Sequence, residues 1–279
     1  MNLQSLRRAF FADPATATGT VIVICFLGMA LFGPLIAPYS PTAQNADLIR
    51  QPPSFAHPLG TDRLGRDLLS RIVYGARDIL SLAGGGTVLA VVLGTLIGVS
   101  VTYLGGWLEE LVFRLFDGLL ALPALLLALL LLGAVGPSRT GVLLVIVLVY
   151  TPIVARVVRS VVLSLKSRGF IEAARMRGER LGYILWRELL PLVAPTLAVE
   201  AALRFSYAIF LVASLGFLGV GVQPPSPDWG LMVLEARNEF ALAPWSLYVP
   251  ATAIALLVVG INLMAEGVRR AIRGEMAGY

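Results

Sequence analysis

Six stretches of nearly unbroken apolar residues decide what this chain can become. They lie at about Thr18–Ala37, Leu80–Leu104, Leu111–Val135, Gly141–Val158, Val193–Leu218 and Tyr248–Ala265. A helix needs roughly 20 apolar residues to cross the hydrocarbon layer of a bilayer. Inside lipid each backbone N–H and C=O must find its partner within the segment, so such runs are helices. The chain reads as an all-α integral membrane protein with six transmembrane helices. Composition agrees: 57% of the 279 residues are hydrophobic and the mean hydropathy is +0.83, beyond the range of soluble domains. The first run follows Arg7 and Arg8 and precedes Pro38-Tyr39-Ser40-Pro41. It is longer than the core of a signal peptide, about 7–15 residues, and is expected to stay as the first span. Ahead of it, Leu3 to Phe11 suggest a short interfacial helix or a disordered tail.

Arginine placement sets the orientation. Arg156, Arg159, Lys166, Arg168, Arg175, Arg177, Arg180 and Arg187 fall on one side of a six-span arrangement, with Arg7, Arg8, Arg269, Arg270 and Arg273. By the positive-inside rule that side is the cytoplasm, and both termini lie there. The first outer loop dissents with Arg50, Arg63, Arg66, Arg71 and Arg77, interleaved with Asp47, Asp62, Asp67 and Asp78. After a short outer turn at Gly136–Thr140, a further outer loop, from about Gly221 to Ser246, contains Pro224-Pro225-Ser226-Pro227, which precludes a regular helix there. Trp229, Trp245 and Tyr248 are expected at the membrane interface.

Several chemistries are excluded. The net charge of +5 is dispersed between apolar runs, so no nucleic-acid surface is implied. One cysteine, Cys25, allows no intramolecular disulfide, and one histidine, His57, allows no His-rich metal site within the chain. There is no phosphate-binding GxxxxGK[ST] loop and no catalytic constellation. Catalytic, metal and cofactor sites are therefore expected to be absent from this chain.

The cytoplasmic stretch from Phe170 to Pro191 is the least membrane-like part. Glu172, Ala173 and Ala174 favour a helix, Gly178 breaks it, and Pro191 suits the first turn of the next. The spacing predicts a short helix, a Gly turn, a second short helix and then the fifth span. The stretch resembles the Glu-Ala-Ala loop of permease subunits in bacterial ATP-binding-cassette importers, at Glu172, Ala173, Ala174, Gly178, Leu190 and Pro191. It departs from that pattern at Arg177, where a Leu is usual, and at Glu188, where a His is frequent. A second resemblance lies in His57-Pro58-Leu59-Gly60-Thr61-Asp62-Arg63-Leu64-Gly65-Arg66-Asp67, which runs on to Arg71. It is similar to the signature before the second span in the dipeptide, oligopeptide and nickel branch, in the permease of the "C" type. Asp117-Gly118-Leu119-Leu120-Ala121-Leu122-Pro123 and Ser214 to Pro225 agree with the same family.

The resemblance implies the MetI-like fold of type I importers. The expected organisation is a cytoplasmic segment at 1–17, a first span at 18–38 and an outer loop at 39–79. A five-helix core follows at 80–267, with the coupling loop at 159–191, and then a tail at 268–279. The implied partners are a homologous second permease, two nucleotide-binding ATPase subunits that hold ATP and magnesium, an extracytoplasmic solute-binding protein and the lipid bilayer. The implied place is the bacterial cytoplasmic (inner) membrane, and the implied cargo is a dipeptide or oligopeptide. Relatives also carry nickel chelates, glutathione, opines and sugars. A carrier driven by ions, without an ATPase, is the alternative; it leaves the Glu-Ala-Ala loop unexplained.

From the residues alone, His57, Asp62 and Asp67 are expected in salt bridges with Arg63 and Arg66 rather than around a metal. Asp117 is expected to pair with Arg114 or a neighbouring loop. Gly84, Gly85, Gly86, Gly94 and Gly98 give the second span a small-residue face for close packing. Glu200 and Arg204 lie four apart inside the fifth span, on one helix face. They read as a structural ion pair, as part of the translocation path, or as the sign of a misplaced span boundary.

Overall fold

A computed structural model describes residues 13–277, except the side chains of residue 268 and residues 271–277. Its helices, in chain order, are α1 (Pro14–Ile36), α2 (Leu68–Leu104), α3 (Gly106–Leu120), α4 (Ala124–Val135), α5 (Arg139–Leu165), α6 (Gly169–Met176), α7 (Leu181–Phe217), α8 (Trp229–Ala236) and α9 (Trp245–Ala277). Five of them are long and apolar enough to span, and α3 with α4, bent by 91°, passes the same test as a pair. The interfacial segment read at Leu3 to Phe11 lies outside the described residues.

Helix packing shows why the broken pair counts as a crossing. A Cβ added to Gly86, Gly94 or Gly98 of α2 would meet Ile146, Val154 or Val158 of α5 within 2.8 Å. The register is constant along both helices, so α2 and α5 run parallel. The chain must return across the membrane between them, and α3 and α4 make that return. The small-residue face expected on α2 is therefore narrower than five glycines. Gly84 meets only Phe205 at 3.6 Å, and Gly85 faces open space. Helices α1 and α9 run antiparallel, with Gly19 against Gly260. At their ends Arg270 donates to the Asp13 carboxylate at 2.9 Å, which places both described ends of the chain on one side.

Several boundaries differ from the sequence reading. α2 begins at Leu68, so the segment 39–79 is irregular only as far as Asp67. Asp67 caps this helix by accepting from the Ser70 N–H at 2.7 Å. The apolar run at Leu111–Val135 is two helices, parted at Ala121, Leu122 and Pro123. The coupling loop at 159–191 is helical at both ends, because α5 continues to Leu165 and α7 starts at Leu181. Pro191 does not begin a separate helix. α7 passes through it with one widened π-type stretch, Ile184–Leu189, in which the Leu190 N–H reaches the Leu185 carbonyl. Pro191 has no N–H for the Arg187 carbonyl, and such a gap is relieved by a wider turn. The tail from residue 268 continues α9 as helix to Ala277.

Trp229 is not interfacial. It is fully buried, its Nε1–H donates to the Ile72 carbonyl at 3.2 Å, and its ring packs 5.5 Å from that of Phe26. Trp245 is half-buried and donates to the Thr61 carbonyl at 3.1 Å; Tyr248 alone of the three is exposed.

Candidate functional site: a cytoplasmic elbow and an outer cap

On the basic side, α6 and the start of α7 form an elbow. α6 closes with the two hydrogen bonds of a Schellman turn: the Gly178 N–H to the Arg175 carbonyl at 2.9 Å, and the Glu179 N–H to the Ala174 carbonyl at 3.2 Å. Gly178 has φ +73°, a conformation that costs any residue with a Cβ. The amphipathic pattern of α6 then decides what is hidden. Ile171 and Ala174 are fully buried against Ile184, Leu185, Leu189 and Val193, over Val158, Val162 and Leu165 of α5. Glu172, Arg177, Gly178 and Arg180 face outward, and Ala173 is half-buried. Met176 is 83% exposed and Trp186 54% exposed, so the outer side of the elbow carries apolar surface among its charges. Sequence reasoning did not single out these two; a large apolar residue inside a basic, non-membrane stretch was the available signal. Leu190 is half-buried and Pro191 exposed at the far end.

The two departures from the family pattern meet each other. Arg177 Nη2 lies 3.7 Å from Glu188 Oε1, and its Nε lies 3.6 Å from Glu179 Oε1. The elbow is tied to the end of α2 by Arg175, which donates to the Tyr103 hydroxyl at 2.9 Å and lies over its ring. Lys166 donates to the Thr102 carbonyl at 3.3 Å.

On the opposite side, the His57–Arg71 signature folds into a cap. Asp62 is its centre. Its Oδ1 accepts from the N–H groups of Leu64 and Arg66 at 2.8 and 3.0 Å, and its Oδ2 accepts from Arg66 Nε at 2.6 Å and from Arg71 Nη1. Burial works against the charge of Asp62, but Arg66, Arg71 and the two N–H groups outweigh it and hold the carboxyl below the usual range. Gly65, at φ +69°, passes so close to the Asn45 carbonyl that no Cβ would fit, and Gly60 turns at φ +79°. Thr61 receives the Gln51 N–H on its hydroxyl at 2.8 Å.

The expected salt bridges are only partly right. Asp62 does pair with Arg66. Asp67 instead holds His57 Nδ1 at 2.9 Å while capping α2. Arg63 reaches Glu235 at 3.6 Å, and Arg66 Nη2 donates to the same residue at 2.7 Å. Arg50 contacts Glu239 at 2.6 Å, and Arg139 meets Asp78 at 2.7 Å. Glu235 and Glu239 were missed in sequence. The excess of arginine over nearby carboxylate in the first outer loop was the sign that a distant partner existed. Among the described residues no group of three or more His, Cys, Asp or Glu could hold a metal ion.

Asp117 pairs with Arg156 of α5, while Arg114 pairs with Glu110. Glu200 and Arg204 are in contact at 2.7 Å.

Residues 90–276 match the family of binding-protein-dependent transport system inner membrane components, and residues 2–53 match the N-terminal transmembrane domain of oligopeptide transport permease C. The chain belongs to this family. It is 39% identical to the dipeptide transport system permease protein DppC of Alkalihalophilus pseudofirmus, over 92% of this chain and 85% of that protein. It is 36% identical to the di/tripeptide transport system permease protein DppC of Pseudomonas aeruginosa, over 97% and 91%. The glutathione transport system permease protein GsiD of Escherichia coli is 37% identical, over 97% and 90%. An inward-facing structure of the MetNI methionine ABC transporter shares the fold, with a TM-score of 0.57 at 21% identity over 73% of this chain and 95% of that one. This permease is thus a multi-pass inner-membrane transport component with no catalysis of its own, and its family works with a binding protein and an ATPase. The carrier acting without an ATPase is set aside.

Proposed function

We propose that this permease forms half of the translocation path of an importer for dipeptides, short peptides or glutathione, beside a homologous second permease. Relatives at 36–39% identity over more than nine-tenths of the chain are named for dipeptide, di/tripeptide and glutathione transport. These solutes share peptide chemistry with free charged ends. Nickel finds no support among them.

The observation that carries the mechanism is the elbow. It is a short helix with a buried apolar side, an outward side of mixed charged and apolar residues, and a stiff Gly-capped stop. Such a surface suits a groove on a partner, in the manner of an amphipathic helix laid into a protein cleft. Glu172, Ala173, Ala174, Gly178, Leu190 and Pro191 are its working residues in this reading. Two cytoplasmic ATPase subunits would bind ATP with magnesium, close on each other and carry the elbow of each permease with them. The outer cap around His57, Gly60, Thr61, Asp62, Gly65, Arg66, Asp67 and Arg71 would keep its shape and receive the loaded binding protein. Solute would then enter between the two permeases, and hydrolysis would reset the complex to face inward.

The test is coupling. Gly178→Asp forces a side chain into the φ +73° position, and Glu172→Arg reverses the charge on the outward face. Both variants are expected to insert normally and to lose solute-stimulated ATP hydrolysis in the reconstituted complex. Wild-type stimulation in both would refute the docking role.

A further inference from the structure

Near the middle of α7 the structure buries a charge pair with hydrogen-bonding capacity left over. Glu200 Oε1 and Arg204 Nε are 2.7 Å apart, with side chains 10% and 15% exposed. Neither atom makes an aligned hydrogen bond, so the contact is one of charge and leaves donors and lone pairs open. The neighbouring elements offer no other ion. Residues 79–104 of α2, 140–155 of α5 and 246–265 of α9 contain no Asp, Glu, Lys or Arg. Two tyrosines flank the guanidinium instead, Tyr150 of α5 at 5.9 Å and Tyr207 of α7 at 5.1 Å from the ring centres. Tyr150 is buried and Tyr207 is 53% exposed. The cluster is closed on the protein side and opens beside Tyr207.

A charge pair at this depth is costly against lipid, and intramembrane ions face a bundle interior or a wet cavity. The open side beside Tyr207 therefore meets protein or water. A peptide with free ends brings one carboxylate and one ammonium. The guanidinium fork suits a carboxylate through two parallel N–H donors, and Glu200, an acceptor only, suits the ammonium. Exchanging the internal pair for two external ones leaves the net charge unchanged, so a zwitterion can enter without leaving a lone buried ion. Resting on the peptide reading of this permease, we propose that Glu200 and Arg204, walled by Tyr150 and Tyr207, form a transit site for the charged ends of the solute. Arg204 takes the carboxylate and Glu200 the ammonium.

The experiment uses the whole importer in proteoliposomes, with both permeases, the ATPases and the binding protein, and radiolabelled dipeptide as probe. The shape-preserving variant Glu200→Gln with Arg204→Gln is expected to assemble and hydrolyse ATP at the wild-type stimulated rate. Its uptake per ATP should fall at least about tenfold, the scale of lost hydrogen bonds to charged groups. If that variant does not assemble, the apolar pair Glu200→Leu with Arg204→Met also removes both charges together and is read the same way. A Tyr207→benzoylphenylalanine complex is expected to capture the dipeptide on illumination during turnover, and to stop doing so once Arg204→Gln is added. Unchanged uptake per ATP in an assembled variant, or no capture at position 207, overturns the site. Absence of any ATP-dependent dipeptide uptake by the wild-type complex is a different failure, and overturns the peptide reading and the site together.

Discussion

The two ends of this permease hold their charges in opposite ways. In the outer cap Asp62, Arg66 and Arg71 are each more than nine-tenths buried, and Glu235 and Asp62 serve three arginines between them. In the elbow, Arg177 is about half exposed and meets Glu179 and Glu188 only at 3.6 and 3.7 Å. Burial makes each cap ion depend on its partner, because a lone ion there has no water to fall back on. The elbow ions keep their water and lose little by parting. One end is built to hold a shape. The other, in the proposed mechanism, would be gripped and moved.

The largest expected effect is at the centre of the cap. Asp62→Asn leaves Arg63, Arg66 and Arg71 sharing Glu235, and should destabilise the protein by about 3–5 kcal/mol, as for other broken buried pairs. Thermal unfolding in detergent measures it, and a shift no larger than that of Glu188→Gln in the elbow would erase the contrast.

A second test concerns acidity on the outer face. Asp228 caps α8 by accepting from the Leu231 N–H at 2.8 Å, and burial, with Asp78 nearby, pushes its carboxyl up to about 6. An acid raised in this way favours its protonated form when folded. Stability is therefore greatest below the unfolded value near 4 and declines as pH rises to about 6. The shift of about two pH units corresponds to about 3 kcal/mol. Asp62, held low, loses its contribution only below pH 4, outside that window. Wild-type Tm should fall between pH 4 and 6 relative to Asp228→Asn, which keeps the cap and does not titrate. Equal pH profiles would refute the burial of a charge there.

The smallest effect is expected in the elbow. Glu188→Gln or Arg177→Leu should change stability by less than about 1 kcal/mol. A double-mutant cycle on ATPase affinity then tells whether the pair serves the partner. An additive cycle would mean that Arg177 and Glu188 act separately.

Hydropathy found each candidate span but was blind to direction and to ion pairing. It placed Leu111–Val135 correctly as apolar and could not see that the run bends by 91° between Leu120 and Ala124. It lost the first turns of α2 because Arg71, Arg77 and Asp78 look like loop residues. Arg71 is buried there because Asp62, and Glu235 from far along the chain, arrive to meet it. The Asp67-x-x-Ser70 cap was a local signal, and it went unread. In the elbow, Gly178 and the Glu-Ala-Ala pattern were legible because they depend on neighbours in sequence. The contact of Arg177 with Glu188 depends on how α6 folds back on α7, which spacing alone does not encode. Glu200 and Arg204 were legible as a pair by their i, i+4 spacing; the tyrosines around them were not.

The continuity of α7 has a mechanical consequence. Thirty-seven residues run unbroken from the elbow to the outer surface, about 55 Å at 1.5 Å per residue. The outer end of this rod is seated on the cap region, where Gly216 lies so close to Asp228 that no Cβ fits between them. If the ATPases push the elbow as proposed, a shaft pinned at the top cannot shift only where it is pushed; it must tilt. Glu200 and Arg204, halfway along it, would turn with each stroke.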